Sequence, residues 1–298
     1  MRKFRFKKID AFASENSSGN PAAVVYLDRL DELSDEEKLQ IAKELKGFVS
    51  EVGYICPGTE TDFKLCYFSS ECEVAFCGHA TIAIMNDIVA NNEALQSQTM
   101  LSIATRSERL QVENHYRDEK SVYISSPAPR FSTQQVNVAD IAESLKCRIE
   151  DIDPSRPIQV VNGGLETLIV PMAGLSQILG VMPDLQLLKE FCVQIGVDII
   201  LLYSAEVAFK DSRYRTRVFA PTFGYLEDPA TGSGNSAFGC YLLAHEMWNG
   251  EKFKVEQNGF RNKPNFVNLV SKKTDTGDTS VWFGGSAIVK IDGQYILE

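Results

Sequence analysis

Three histidines, two tryptophans and seven cysteines are all that 298 residues contain of the commonest metal-binding and disulfide-forming side chains and of indole. The cysteine number is odd, the thiols are scattered, and no C-x-x-C pair occurs, so neither a disulfide framework nor a zinc module is indicated. Free thiols fit a reducing, cytoplasmic setting. No apolar run approaches the roughly 20 residues that span a bilayer. The basic first eight residues lack the apolar stretch of a signal peptide. Positive charge is also short: 30 Lys and Arg stand against 40 Asp and Glu, a net charge of −10. That argues against nucleic acid or an anionic membrane as partner, because either needs a basic surface. No P-loop, no nucleophile elbow and no strand–GxGxxG–helix is present, which removes support for nucleotide, hydrolase and Rossmann readings.

What the chain does have is an order of elements that occurs twice. Residues 3–12 alternate as a half-buried strand, and 21–27 form a second, apolar one. Ser34-Asp35-Glu36-Glu37 is a capping box that starts a helix running to about Phe48. Strands at 52–56 and 62–68 lead through Ser69-Ser70-Glu71 to Cys77-Gly78-His79 and a helix over 80–90. Three strands, 99–105, 109–114 and 121–125, close the unit. Residues 127–157 are polar and punctuated by Pro127, Pro129, Pro154 and Pro157, with one short amphipathic helix near 138–147. They read as a linker. Then the order returns. Strands at 158–161 and 165–171 flank the hairpin signal Asn162-Gly163-Gly164. A helix over 185–195, strands at 198–204 and 214–220, a helix over 233–248, strands at 253–255, 266–271 and 281–283, and a last hairpin at 287–297 follow. The pattern predicts a duplicated α+β unit. The first domain spans 1–127, joined by the C-terminal strand at about 287–298; the second spans 128–286 and includes the linker.

The duplication places Gly78-His79 and Gly232-Ser233 at equivalent helix starts, predicted to face each other across an interdomain cleft. Helix starts carry unpaired N–H donors and a partial positive charge, which suits a substrate carboxylate. The segment Glu227-Asp228-Pro229-Ala230-Thr231-Gly232-Ser233 would bring two carboxylates, a hydroxyl and backbone N–H groups to one of them. Asp228 reads either as an anion that merely favours the helix dipole or, with Thr231 and Ser233, as part of a site. His79 reads as a cap or as a neutral imidazole, its pKa lowered by the helix end, that relays a proton. Cys77 is either a small buried thiol or an activated thiolate. Glu51 lies between a helix end and a strand entering the core, where desolvation would raise its pKa toward that of a general base. Cys72, Cys77 and His79 lack a fourth ligand at metal-like spacing, so no metal site is expected. His115 and His245 are taken as structural.

Together these motifs resemble those of the PhzF-like family, the phenazine-biosynthesis isomerase-like proteins. Ile9-Asp10-Ala11-Phe12 with Gly19-Asn20-Pro21-Ala22-Ala23-Val24-Val25 is similar to the family's opening. Ser50-Glu51 corresponds to its S-E-T-A-F segment, with Val52-Gly53-Tyr54 in place of Thr-Ala-Phe. Phe76-Cys77-Gly78-His79-Ala80-Thr81 and 227–233 match its two strongest motifs, although Gly234-Asn235 replaces small alanine-type residues. Glu256-Gln257-Asn258-Gly259 carries an extra asparagine, and Phe283-Gly284-Gly285 fits the close.

The resemblance implies a diaminopimelate epimerase-like fold, two α+β domains each wrapping a mostly antiparallel sheet around a central helix. It implies Glu51 as the acid/base and His79 and Asp228 as assistants. Gly78, Gly232 and Ser233, with Thr231 and Cys77 beside them, would hold the substrate. It implies further a cofactor-independent proton shift within a small, dihydro-hydroxyanthranilate-like carboxylate, and a homodimer. Two other readings stay open: a racemase or epimerase of an amino acid or hydroxyproline-like compound that uses Cys77, and a non-catalytic small-molecule binding protein. A two-cysteine racemisation is disfavoured, because Thr231 stands where the second thiol would be needed.

Overall fold

The computed structural model describes residues 1–15, 17–106, 108–274 and 277–298. The chain divides into two compact units, 1–125 with 284–298, and 126–283.

In the first unit the strand Arg2–Ala11 lies between Ala287–Leu297 and Asn20–Tyr26, antiparallel to both. Asn20–Tyr26 then runs parallel to Glu51–Pro57, which is antiparallel to Phe63–Ser69. Phe63–Ser69 pairs in parallel with Met100–Ala104, and antiparallel ladders continue through Arg109–His115 to Ser121–Ser125. The helix Gly78–Ala90 touches strands at both ends of this series as well as its middle, so the sheet curls around it. A helix enclosed in this way needs apolar residues on every side. Ala80 to Asp87 and Val89 are all buried. Packing is tight enough that a β-carbon on Gly53 would stand 2.4 Å from Ile84 Cδ1. The helix is pinned by its polar residues: Asn86 Nδ2 donates to the carbonyls of Ile82 and Gly285. Asp87, which accepts from Tyr26, forms a buried ion pair with Lys7 at 2.8 Å.

The second unit repeats the same ladder signs. Gln159–Asn162 is antiparallel to Glu166–Pro171, which is parallel to Ile199–Ser204, which is antiparallel to Tyr214–Phe219. Tyr214–Phe219 is parallel to Phe253–Gln257, and that strand is antiparallel to Asn265–Lys273. Even the short strand before each central helix recurs: Glu73–Val74 on Phe63–Ser69, and Glu227–Asp228 on Tyr214–Phe219. The second central helix, Gly232–Ala244, has thirteen residues like the first. Internal duplication is therefore written in the hydrogen-bond ladders, where sequence identity between the halves is low.

Several sequence expectations need correction. Ser34 and Glu37 do form the capping box, but the helix is Asp35–Glu44 and stops before Gly47, whose φ of +82° a helix does not admit. The 127–157 stretch is no loose linker. Ile141, Ala142 and Leu145 of the helix Val138–Leu145, with Ile152, belong to the core that also holds Leu188, Phe191 and Cys192. The short helix Leu175–Gly180 was not anticipated. Residues 287–297 are one strand rather than a hairpin: Asp292 and Gly293 look like a turn, yet they pair with Lys7 and Phe6, and Asp292 adds an ion pair to Lys7 at 3.3 Å. Both central helices begin at the glycine, one or two residues early, and the second ends at Ala244, four residues short of Trp248. The stretch between the strands expected at 3–12 and 21–27 includes Asn16, which lies outside the described residues. Among the described residues no helix is long and apolar enough to cross a membrane.

Candidate active site

The N-terminus of the first central helix gathers the titratable groups. Cys77 is its N-cap, with extended backbone and no side-chain capping bond. Its carbonyl instead accepts from Thr81 Oγ1 at 2.7 Å, and Tyr67 donates in turn to that hydroxyl at 2.6 Å. Because a threonine hydroxyl has one proton, the chain Tyr67–Thr81–Cys77 has a single direction. It ties the helix entry to the strand Phe63–Ser69. Glu51 opens the strand Glu51–Pro57, paired between Ala22 and Ser69, and so reaches the same place from a segment far away in sequence.

His79 Nε2 lies 3.3 Å from Glu51 Oε2, and their side chains expose 11% and 14% of their surface. Cys77 Sγ lies 3.5 Å from His79 Nδ1. Burial drives the His79 pKa down to about 4, and a hydrogen bond to the backbone of Pro21 offsets this only in part. A proline offers only its carbonyl, so one ring nitrogen donates there. At neutral pH the imidazole is uncharged, and its contact with Glu51 is a polar contact rather than an ion pair. The lowered pKa was anticipated from the helix end; the structure assigns it to desolvation. Glu51, unremarkable as an isolated glutamate, stands in a mostly buried cluster with His79 and Cys77. Cys72 is exposed and outside it. The ligand count that excluded a metal site used Cys72 and left out Glu51, whereas one donor atom each of Glu51, Cys77 and His79 lie within 4.8 Å of one another.

The second helix start is wired differently. Thr231 is the N-cap, again without a capping side chain, and its hydroxyl donates to Asp228 Oδ2. Gln257 holds the turn. Its Oε1 accepts from Thr231 N at 2.9 Å and from Asn235 Nδ2 at 2.6 Å, while its Nε2 donates to the Asp228 carbonyl and to Thr231 Oγ1. Asn235 also donates to the Thr231 carbonyl, and Asn265 to that of Pro229. Asp228 and Thr231 are 6% and 7% exposed, and Gln257 and Asn235 are fully buried. Of the two carboxylates expected here, Glu227 is engaged elsewhere: both its oxygens receive the Arg217 guanidinium at 3.0 and 2.9 Å. Gly232 permits close packing, since a β-carbon there would meet the Phe283 ring at 2.3 Å. Ser233 is half-buried in the first turn. Gln257, Asn235 and the Tyr67–Thr81 pair were missed as parts of the two helix starts. The run Glu256-Gln257-Asn258-Gly259 was noticed, but its partners lie more than twenty residues away.

His245 caps the C-terminus of the second central helix and bonds Gln159, and His115 bonds Glu113, both away from these clusters.

Two α+β units of equal ladder pattern, each wound on a helix that starts at a glycine, define the diaminopimelate epimerase-like fold. Residues 9–293 match the family described as phenazine biosynthesis-like protein, PhzC-PhzF, and the chain belongs to that family. Among curated relatives, it is 26% identical over 97% of both chains to the uncharacterized isomerase YddE of Escherichia coli strain K12. It is 25% identical to trans-2,3-dihydro-3-hydroxyanthranilate isomerase of Pseudomonas aeruginosa, over 98% of this chain and 99% of that one. The crystal structure of the Bacillus anthracis phenazine biosynthesis protein of the PhzF family superposes over the whole of both chains with a TM-score of 0.88 at 23% identity.

Proposed function

We propose that this chain, an isomerase by family, moves a proton between two carbons of one small carboxylate-bearing substrate without a cofactor. The observation that carries the reading is the contact of Glu51 with a neutral His79 at the start of a buried helix. Glu51 takes a proton from a carbon activated by the substrate's conjugated system. The electron pair moves through that system, and the same carboxyl group returns its proton at the far carbon. Charge and atoms balance within the substrate, and Glu51 ends as it began. Backbone N–H groups at Gly78, and likewise at Gly232 and Ser233, stand at helix starts without a capping side chain, which suits binding of a substrate carboxylate and stabilisation of charge that develops during transfer. His79 relays or orients a proton as a neutral imidazole. Asp228, held by Thr231, orients the amino or hydroxyl group. Cys77 and Thr231 complete the binding surface.

The substrate of the Pseudomonas relative supports a dihydro-hydroxyanthranilate-like compound as the first candidate. The net-negative, thiol-bearing chain fits a cytoplasmic enzyme, and we propose a homodimer by family likeness. An epimerase that uses Cys77 draws support from the 3.5 Å contact with His79. It is opposed by Thr231 at the matching helix start, whose proton is committed to Asp228. A binding protein without catalysis would have no use for a buried acid/base pair, which costs stability to maintain.

The test is incubation of cyclic amino and hydroxy acids, the candidate first, in D₂O with mass-spectrometric detection of isomerised or deuterated product. Turnover that falls by on the order of 10²–10⁴ in Glu51→Gln is the expected result. Full activity in that variant removes Glu51 as the base.

A further inference from the structure

The cluster at the first helix start has a second chemistry. We propose that Glu51, Cys77 and His79 form a three-donor site for a borderline-soft divalent cation such as Zn²⁺, with the remaining coordination position open to water or a carboxylate.

Four features converge on it. The donor set is a thiolate, an imidazole and a carboxylate, each a good zinc ligand and together selective against hard cations such as Mg²⁺ or Ca²⁺. The spacing fits as well. Donors bound at about 2.0–2.3 Å to a tetrahedral ion are separated by roughly 3.3–3.7 Å. With His79 Nε2 as the single imidazole donor, Glu51 Oε2 lies 3.3 Å and Cys77 Sγ 4.0 Å from it, and one donor atom of each residue lies within 4.8 Å of the others. Closing such a set on an ion requires side-chain movements of about an ångström or less. The imidazole is also prepared as a ligand is in metal proteins: one ring nitrogen donates to the Pro21 carbonyl, which fixes the ring and leaves the other nitrogen with its lone pair. The helix start that carries Cys77 and His79 is held by the Tyr67–Thr81–Cys77 hydrogen bonds, and the strand start that carries Glu51 by its pairing with Ala22 and Ser69.

Binding releases the Cys77 thiol proton to solvent and forms a metal–sulfur bond, with no change of oxidation state. The ion and the catalytic proton then compete for the same Glu51 carboxylate. Zinc would therefore inhibit the isomerisation proposed above. That consequence rests on the proposed function; the binding itself does not.

Co²⁺ added to the metal-free, reduced 298-residue chain provides a test that needs no substrate. The proposal expects one ion per chain, a thiolate-to-cobalt charge-transfer band in the near ultraviolet and intense visible bands of a four-coordinate ion. Zn²⁺ should displace it. Cys77→Ser should abolish the charge-transfer band, and Glu51→Gln and His79→Gln should each weaken affinity by at least about tenfold, the lower end of what even outer-shell changes cost. Cys72→Ser should change nothing. Far-ultraviolet circular dichroism and the melting temperature establish that each variant is folded. Should Cys77→Ser not fold, the wild-type spectrum and the Glu51→Gln titration still decide. Absence of a charge-transfer band in the wild type overturns the proposal. So does a band kept by Cys77→Ser, or unchanged affinity in Glu51→Gln. Failure of this test leaves proton transfer by Glu51 standing, and loss of activity in Glu51→Gln says nothing of the metal, so the two readings fall separately.

Discussion

The two central helices begin alike and are finished differently. Each starts at a glycine behind an extended N-cap residue with no capping side chain. At the first, the N-cap is a thiol, and the groups around it, Glu51 and His79, are titratable and keep a little solvent exposure. At the second, the N-cap is an alcohol whose proton goes to Asp228, and Gln257, Asn235 and Asn265 tie the preceding turn through buried hydrogen bonds. One duplicated scaffold thus carries titratable groups at one helix start, the proposed reactive end, and a hydrogen-bonded turn at the other. Under the proposed function, a repeated helix start would supply anion-binding N–H groups twice, while the proton chemistry would be built only once.

The hydrogen-bonded helix start depends most on Gln257. Replacing it by Ala leaves the Thr231 N–H, the Asn235 amide and the Asp228 carbonyl without their buried partner. Unfolding in urea should show a loss of roughly 3–5 kcal/mol, since each such group costs about 1–3 kcal/mol. A loss below about 1 kcal/mol would mean the second helix start is not held by this residue.

At the reactive end, His79 makes stability depend on pH. Its folded pKa, about 4, lies below the ordinary 6.5. Below 6.5 the unfolded chain takes up a proton that the folded chain refuses until about pH 4, so this contribution is fully present above 6.5 and is lost as pH falls toward 4. The shift corresponds to a fall of up to about 3 kcal/mol across that window. His79→Gln should flatten the urea-measured profile there by a similar amount.

A smaller effect is expected at Gly53, which packs on the first central helix. Gly53→Ala drives a β-carbon against Ile84 on the first central helix, and a melting experiment should report about 1–2 kcal/mol of destabilisation. The smallest effect belongs to Cys72. It is exposed and apart from the cluster, and Cys72→Ser should shift stability by less than about 0.5 kcal/mol.

Local signals were legible. The Ser34–Glu37 capping box, the hairpin at Asn162-Gly163-Gly164 and the glycine-started helices each depend on neighbours within a few residues, and each is present. What failed depended on distant partners. The 138–145 helix was read as part of a linker because its apolar face, Ile141, Ala142 and Leu145, has meaning only against the 185–195 helix. Asp292-Gly293 imitates a turn, but Lys7 and Phe6, nearly the whole chain away, hold it in a strand. The candidate site follows the same rule. Cys77, Gly78 and His79 stand out together; Glu51 and Gln257 acquire their places through the fold. Glu227, conspicuous beside Asp228, is neutralised by Arg217 across a two-strand ladder that no local pattern announces.

The central claim is that the reactive end works through its carboxylate, not its thiol. The most direct test measures Glu51→Gln and Cys77→Ser side by side, in D₂O, on the dihydro-hydroxyanthranilate candidate or on whichever acid the wild type converts. The account predicts that Glu51→Gln loses on the order of 10²–10⁴ in rate while Cys77→Ser stays within about tenfold of wild type. Loss of turnover in Cys77→Ser with activity retained in Glu51→Gln would contradict it.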